Sequence, residues 1–513
     1  NPSTGQDLGT YETLTAADLR AVIRRARAAQ SGWAARPLAE RARYVEAARR
    51  WLVANADALA ETISACSGKT RLEALATEIL ASAGAVHWYQ RHARRLLRPA
   101  RLPNGSVLFL NKRSSLHRQP WGVIGIIAPW NYSLGIPMHE IVPALLAGNT
   151  VVFKTAPETL PVGERIAEMF EAAGLPPDVF HHVIVDGPLA GATFLAEGGV
   201  DKLFFTGSVR VGKLLMEQAS RTLTPVSLEL GGKDAMIVRA DADLERAVNG
   251  AIWGGVSNAG QSCAGVERIY VHESVYEPFV EGLAAGVRRL RVGPSAASDT
   301  DVGAICTTRQ METIRRQVDE ALALGARIKA RAELPEGIGP QYFAPTVLVD
   351  VDHNMRVMRE ETFGPVLGVM KVADDEEALR LANDSPYGLT ASIWSRDHAA
   401  ARRIANRVRA GAVTINDHLM SHGLTETPWG GFKESGIGRG HGVFAFEEVT
   451  APQVVIDDWL GFAARNLFWH PYSQSVYDAL KGALIGLYGT GPVRRLRGLL
   501  RLAGALPRMF RRS

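Results

Sequence analysis

The sequence predicts an α/β fold of two units, the first of them a doubly wound parallel sheet, and three observations carry that prediction. Short apolar runs at residues 123–128, 150–153, 182–185 and 202–205 are separated by stretches of helix length. Unbroken runs of this kind belong to strands covered on both faces, and their alternation with helices is the pattern of a parallel sheet. A second series, at 235–238, 269–271 and 413–415, fills about 234–416. No repeat or low-complexity linker divides the two series, so the units should meet across a broad interface with a ligand cleft in it.

The elements follow in chain order. Thr15, with Asp18 three positions on, is a capping pair for a helix whose apolar face is Leu19, Val22, Ile23, Ala26 and Trp33. Helical spacing continues from about 41 to 92, broken at Ser67-Gly68-Lys69. Residues 102–117 change to short alternating stretches, with Val107-Leu108-Phe109-Leu110 the clearest and Asn104-Gly105 as a turn signal, so a projecting β-hairpin is expected. The two α/β series come next. Residues 457–513 carry nine Arg or Lys against three Asp, so the formal charge of +5 belongs to this tail and the rest is close to neutral.

Composition excludes several classes. With 46% apolar and 22% charged residues in 513, the chain is neither mainly disordered nor collagen-like nor a polytopic membrane protein. A near-neutral body argues against a nucleic-acid enzyme. Cys66, Cys263 and Cys306 are too few for a disulfide framework and lack the close pairing of a zinc site. A reducing compartment, the cytoplasm, is the expected setting. The chain opens at Asn1-Pro2 without an export signal or a methionine.

Three places carry chemistry. The strand-like 202–206 runs into Gly207-Ser208 and a helix-forming stretch, an order that aims backbone N–H groups at a pyrophosphate. Its GxxxxG spacing is neither of the common phosphate-loop patterns, and such a turn is as often purely structural. Cys263 lies among small residues, Asn258-Ala259-Gly260-Gln261-Ser262-Cys263-Ala264-Gly265, which leave a thiol accessible, whereas Cys66 and Cys306 read as packed small hydrophobes. Glu229 closes the apolar stretch Val226-Ser227-Leu228-Glu229-Leu230; desolvation there raises its pKa and suits it to general-base work.

Together these motifs resemble the NAD(P)-dependent aldehyde dehydrogenase superfamily. Leu228-Glu229-Leu230-Gly231-Gly232-Lys233 is followed, 34 positions after the glutamate, by Gly260-Gln261-Ser262-Cys263. The likeness runs from residue 1 to about 455 and includes Pro129-Trp130-Asn131-Tyr132, Phe205-Thr206-Gly207-Ser208, Glu360-Glu361-Thr362-Phe363-Gly364-Pro365 and the stretch 428–436. It implies a Rossmann-type cofactor domain (1–101 and 121–231), an α/β catalytic domain (232–440), a small β oligomerisation flap (102–120 and 441–456) and, beyond the family body, a basic amphipathic extension (457–513). A homodimer or homotetramer is implied as well.

By this resemblance, the Cys263 thiolate attacks the aldehyde to give a thiohemiacetal, with Asn131 and the Cys263 N–H holding the oxyanion. Oxidation leaves a thioester, and water activated by Glu229 hydrolyses it. Trp130, Lys154, Gly207, Ser208, Glu361 and Phe363 are implied to bind the cofactor, NAD or NADP. Pro157 stands where many NAD-preferring relatives have a ribose-chelating glutamate, which puts the preference in question, with NAD the favoured of the two. Tyr132, Ile136, Leu419 and Trp429 are implied to line the substrate pocket. The loop 417–427 has no Arg or Lys for a substrate carboxylate, so a medium or long-chain, or aromatic, aldehyde is expected over a semialdehyde. No metal is expected: His139, His418 and His422 are dispersed, and the family needs none.

In the tail, Val493, Leu496, Leu499, Leu500, Ala503 and Leu506 fall on one helical side, with Arg494, Arg497, Arg501 and Arg508 mostly opposite. Such a helix suits the interface of an anionic bilayer, or else packs on its own subunit. No apolar run is long enough to span one. Two competing functions remain, a cysteine hydrolase and a non-catalytic scaffold protein. Against the first, Ala264 follows the cysteine and no histidine partner is identifiable; against the second, Cys263, Glu229 and Asn131 are all present.

Overall fold

Helices open the chain, and each boundary has a local cause. In the computed structural model, which describes residues 1–297 and 299–510, Ala16–Ala35 starts at a complete capping box. The Asp18 N–H donates to Thr15 Oγ1 and the Thr15 N–H donates to Asp18 Oδ2. Ala56–Ser67 stops at Gly68, whose φ of 79° a side chain would oppose. After a short turn the chain takes a π-helical form over Ala74–Leu80, then returns to α-helix over Ala81–Leu97. That wide turn turns Glu78 inward, where it is fully buried.

The first sheet has six strands in the order Gly436–Ile437, Val226–Glu229, Lys202–Thr206, Val123–Ile127, Thr150–Lys154, Phe180–His182. All neighbours are parallel except the first pair. Strand order reverses between Val123–Ile127 and Lys202–Thr206, so the carboxyl ends of these two strands flank the crevice where doubly wound sheets bind ligands. The second sheet has seven strands, running from Arg327–Arg331 through Thr346–Val349, Val366–Val372, Val266–His272, Asp234–Val238 and Thr390–Trp394 to Ala412–Ile415. Both are buried on each face by helices, which is why their sequences read as unbroken apolar runs.

Several expectations need correction. Residues 107–109 form a 3-10 turn; the strand pairing runs instead between Ala100–Leu102 and Lys112–Pro120, because the Ser106 hydroxyl caps the turn. The third run ends as strand at His182. Gly436–Ile437, placed by sequence in the catalytic domain, adds antiparallel to Val226–Glu229 of the cofactor sheet. Gly442–Glu448, placed in the flap, is a helix whose Ala445 and Phe446 join the core beside Ala81–Leu97.

The chain divides into two compact units. One comprises Asn1–Leu97 with Arg118–Ala451, and the other Arg98–His117 with the residues from Pro452 on. The second holds most of a three-stranded sheet, Ala100–Leu102, Lys112–Pro120 and Thr450–Asp458. It also holds two helices, Gln474–Tyr488 and Pro492–Ala505. These helices touch through glycine: a Cβ on Gly498 would stand 2.5 Å from the Gly482 carbonyl oxygen, and one on Gly482 would stand 2.6 Å from that of Gly498. The part of the predicted tail at 511–513 lies outside the described residues.

Candidate active site

Cys263 follows a backbone that few sequences tolerate. Asn258 and Ala259 both sit in the left-handed region, at φ of 54° and 53°, and for the alanine this costs roughly 1–2 kcal/mol. Polar contacts hold the loop there. The Asn258 N–H donates to Glu73 Oε1 at 2.6 Å, its side chain donates to the carbonyls of Asn131 and Gln261, and the Gln261 side chain bonds Asn258 O and the Cys306 N–H. The loop then passes so close to Gly232 that a Cβ there would stand 2.1 Å from the Cys263 carbonyl oxygen. Lys233 pairs with the buried Glu267 just beyond. The two glycines of the Glu229 motif thus serve approach: Gly231 admits the Glu361 carboxylate in the same way.

The thiol of Cys263 opens on a cavity of about 330 Å³ that also takes in Glu229, Tyr132, Ile136, Leu419 and Trp429. Burial pushes the Glu229 carboxyl up to about 8, the Arg439 charge opposing and Glu448 adding to the rise, and the Trp429 side chain hydrogen-bonds it. Its Oε2 is buried without a partner. Burial also raises the Cys263 thiol, helped by Glu361, Asp234 and Glu229. A thiol held in this protonated form would have to lose its proton to act as a nucleophile. Glu361, likewise pushed up to about 8 by burial, accepts the Gly232 N–H at 3.1 Å.

Asn131 is almost fully buried at the end of Val123–Ile127, and its Nδ2 donates to the Gln261 carbonyl at 3.1 Å. An amide nitrogen has a second hydrogen, and this one remains for an oxyanion. Its own carbonyl is fixed by Lys69 Nζ at 2.8 Å, and Lys69 pairs with Glu78 at 2.5 Å. Glu78 Oε2 accepts the N–H groups of Leu134 and Gly135, at 2.8 and 3.2 Å, so one buried carboxylate braces both the asparagine loop and the start of helix Gly135–Ala147. Glu78, Lys69 and Glu73 escaped the sequence reading. Nothing in their local spacing separates them from ordinary helix-surface charges.

The residues expected to bind the cofactor lie near the crevice of the first sheet. Ser208 is exposed and caps helix Val209–Ala219, its Oγ accepting the Val211 N–H at 3.4 Å; the hydroxyl hydrogen is free to donate outward. Trp130 and Phe363 meet edge to face with centroids 5.5 Å apart. Lys154 is buried, and its Nζ donates to the Thr155 carbonyl at 2.8 Å. Backbone donors and a hydroxyl at a helix start, an ammonium and an aromatic pair make a donor set that fits a dinucleotide.

The histidines are arranged otherwise than expected. His418 Nε2 bonds the Ala264 carbonyl at 2.9 Å and stands apart. His139 and His422, far from dispersed, gather with His441 in the cavity wall. Glu140 lines the same cavity, and burial holds its carboxyl well above the usual range.

The chain is similar to known proteins along most of its length. The model of the aldehyde dehydrogenase family matches residues 1–455. A 4,4'-diapolycopene aldehyde oxidase of Methylomonas sp. is 38% identical over 489 residues, covering 95% of this chain and 91% of that protein. A Mycolicibacterium smegmatis protein provisionally named succinate-semialdehyde dehydrogenase [NADP(+)] is 38% identical over 453 residues, 88% of this chain and 87% of that one. The crystal structure of an NAD-dependent aldehyde dehydrogenase from Sinorhizobium meliloti superposes with a TM-score of 0.86 at 34% identity, covering 92% of each chain.

Proposed function

The chain belongs to the aldehyde dehydrogenase family, and from that premise we propose that it oxidises apolar aldehydes, medium or long-chain or aromatic, to carboxylic acids with NAD, at a membrane surface. The observation that carries the substrate reading is the cavity: Cys263 and Glu229 share it with Tyr132, Ile136, Leu419 and Trp429, and none of its lining residues is Arg or Lys. A substrate carboxylate would lose its hydration there with no Arg or Lys side chain in return.

The chain's residues divide the work as follows. Cys263 Sγ bonds the aldehyde carbon as its proton is lost to solvent, and the Asn131 Nδ2 and Cys263 N–H donors stabilise the oxyanion. Bound NAD supplies the acceptor for the electron pair and hydrogen that leave that carbon. The thioester that remains on Cys263 is attacked by water, Glu229 takes the water's proton, and acid and thiol are released. For the cofactor, Pro157 removes one carboxylate, but Glu158 beside it lies close enough to Lys154 to favour the ammonium's charge. Were Glu158 to face the bound cofactor's ribose, its carboxylate would accept the hydroxyls and repel a 2'-phosphate.

The tail supports the membrane setting. Leu484, Tyr488, Val493, Leu496 and Leu500 are each about 60% exposed or more, because the helices meet through glycine. Arg494, Arg497 and Arg501 are exposed on the same hairpin. Among the described residues no helix is long and apolar enough to cross a membrane, so the surface would lie in the interface. The Methylomonas relative, whose name specifies a large hydrocarbon aldehyde, matches too many residues for the likeness to stop at 455, whereas the 453-residue match need not leave the family body. Val454, Val455 and Ile456 are exposed on strand Thr450–Asp458, and such an apolar strand is where a second subunit would pair.

Initial rates on hexanal, hexadecanal, benzaldehyde and succinate semialdehyde, each with NAD and NADP, test this reading. Hexadecanal with NAD should exceed succinate semialdehyde at least tenfold in kcat/KM. Faster turnover of the semialdehyde would overturn the substrate assignment.

A further inference from the structure

Three imidazoles meet in the wall of the substrate cavity, each from a different element. His139 lies in helix Gly135–Ala147, His422 in the turn Met420–Gly423, and His441 just before helix Gly442–Glu448. One nitrogen of each lies within 4.8 Å of the others. The His139 and His441 rings stack with centroids 3.7 Å apart, and His422 stands 4.8 Å from His441 and 5.3 Å from His139. Nothing in the proposed chemistry of Cys263 and Glu229 uses them.

Two further observations distinguish this cluster from packed histidines. His441 is 2% exposed and its Nδ1 has no hydrogen-bond partner, a cost that a buried polar atom normally avoids. His139 Nδ1 lies 3.0 Å from the hydroxyl of Tyr89, itself fully buried. In the tautomer whose Nδ1–H donates to the Tyr89 oxygen, Nε2 is left as the free nitrogen and the ring is fixed, as the outer partner of a metal-ligating histidine fixes it. The neighbouring Lys69 is paired with Glu78, and Glu140 adds a carboxyl to the same cavity.

We propose that His139, His422 and His441 form a three-histidine site for a borderline divalent transition-metal ion such as Zn²⁺, with its open position facing the cavity that holds Cys263. Neutral imidazoles select such ions over Mg²⁺ or Ca²⁺, which require oxygen ligands. Zn–N bonds of about 2.0–2.1 Å in tetrahedral geometry place the nitrogens about 3.3 Å apart. The widest pair must therefore close by about 1.5 Å, and the stacked His139 and His441 rings must tilt out of parallel so that both in-plane lone pairs meet at one ion, which requires rotation about χ1 and χ2 of His441. An ion held there narrows the aldehyde's path, so occupancy should raise the apparent KM for aldehyde.

The test is Co²⁺ titration of the full-length Cys263→Ser protein, in which the competing thiol is gone, followed by visible absorption and equilibrium dialysis. One Co²⁺ per chain is expected, with the intense absorption of a four- or five-coordinate site, displaced by Zn²⁺. His441→Gln and, at the less buried position, His422→Gln should each weaken binding at least tenfold. In the protein with its thiol, His422→Gln should raise the Zn²⁺ needed to double the aldehyde KM by a similar factor. Absence of a visible spectrum, or equal Co²⁺ affinity in a folded His422→Gln protein, would overturn the site.

Discussion

The Cys263 loop and the carboxyl-terminal helix pair use the same device to opposite ends. In both, glycine lets two pieces of backbone approach more closely than any side chain permits: Gly232 against Cys263, and Gly498 against Gly482. At the loop, close approach crowds carboxylates around a sulfur and strips them of water, so that Glu229 and Glu361 hold protons up to about pH 8. In the tail, close approach uses up the small residues and turns the large apolar ones outward. One region stores its chemistry in desolvated polar groups, the other in hydrated apolar groups. A substitution that reverses either condition should therefore touch only one of two measurable properties, turnover or surface binding.

The largest effect is expected at Glu229. Glu229→Gln keeps the shape and removes the base, so steady-state turnover should fall by about 10²–10⁴-fold, while mixing with aldehyde and NAD still gives a burst of reduced cofactor equal to the enzyme present. In the unmodified protein, acyl-enzyme hydrolysis should rise with pH and level off above about 8, because the carboxylate form appears only there. The same raised pKa affects stability. The native state holds a proton that the unfolded chain releases from about pH 4.5 upward, so this contribution is fully present below that pH and lost as pH rises through 8. The melting temperature of Glu229→Gln should then gain on the unmodified protein as pH rises. Flat hydrolysis between pH 6 and 9 would show that another group is the base.

The second effect belongs to the tail. Leu496→Glu with Leu500→Glu places two charges where about 1.5–3 kcal/mol per leucine would otherwise come from burial, and sedimentation with phosphatidylglycerol-rich vesicles should drop by about 100-fold in partition coefficient. Turnover of hexanal in solution should be unchanged. Equal pelleting would show that these side chains do not meet lipid, and a change of oligomeric state in the variant would assign them to a subunit contact.

How much of this was legible in the sequence follows from the range of the forces involved. The parallel sheets announced themselves because burial on two faces leaves few polar positions within a strand. The raised pKa of Glu229 was readable for the same reason: it ends an apolar strand. The catalytic assignments to Cys263 and Asn131 came through motif resemblance, and the structure adds what surrounds them. Residues 107–109 misled because a Ser hydroxyl cap, a contact two residues long, outweighed an apolar pattern suited to a strand. The histidine cluster was hidden because its members lie 283 and 19 positions apart along the chain, and only tertiary folding makes them neighbours. The amphipathic tail was visible, but its partner helix and their glycine contact were not, since either helix alone could have packed elsewhere.

The smallest effect, and the sharpest test of the loop, lies at the brace behind Asn131. Glu78→Gln alone would strand the buried Lys69 charge, and breaking such a pair costs about 3–5 kcal/mol, which confuses misfolding with misplacement. Lys69→Met with Glu78→Leu removes both charges and fills similar volume, and exchanges of this kind are often neutral in stability. What the double variant cannot restore is the bond from Lys69 Nζ to the Asn131 carbonyl or the acceptor for the Leu134 and Gly135 N–H groups. In the proposed mechanism Asn131 donates to charge that exists only as the thiohemiacetal forms, so its displacement should lower kcat by about tenfold, a fraction of the loss from deleting such a donor outright, and leave KM little changed. A variant that melts normally and turns over at the original rate would mean that the Gln261 and Asn258 contacts suffice to hold the asparagine, and that the buried pair serves only the helix start.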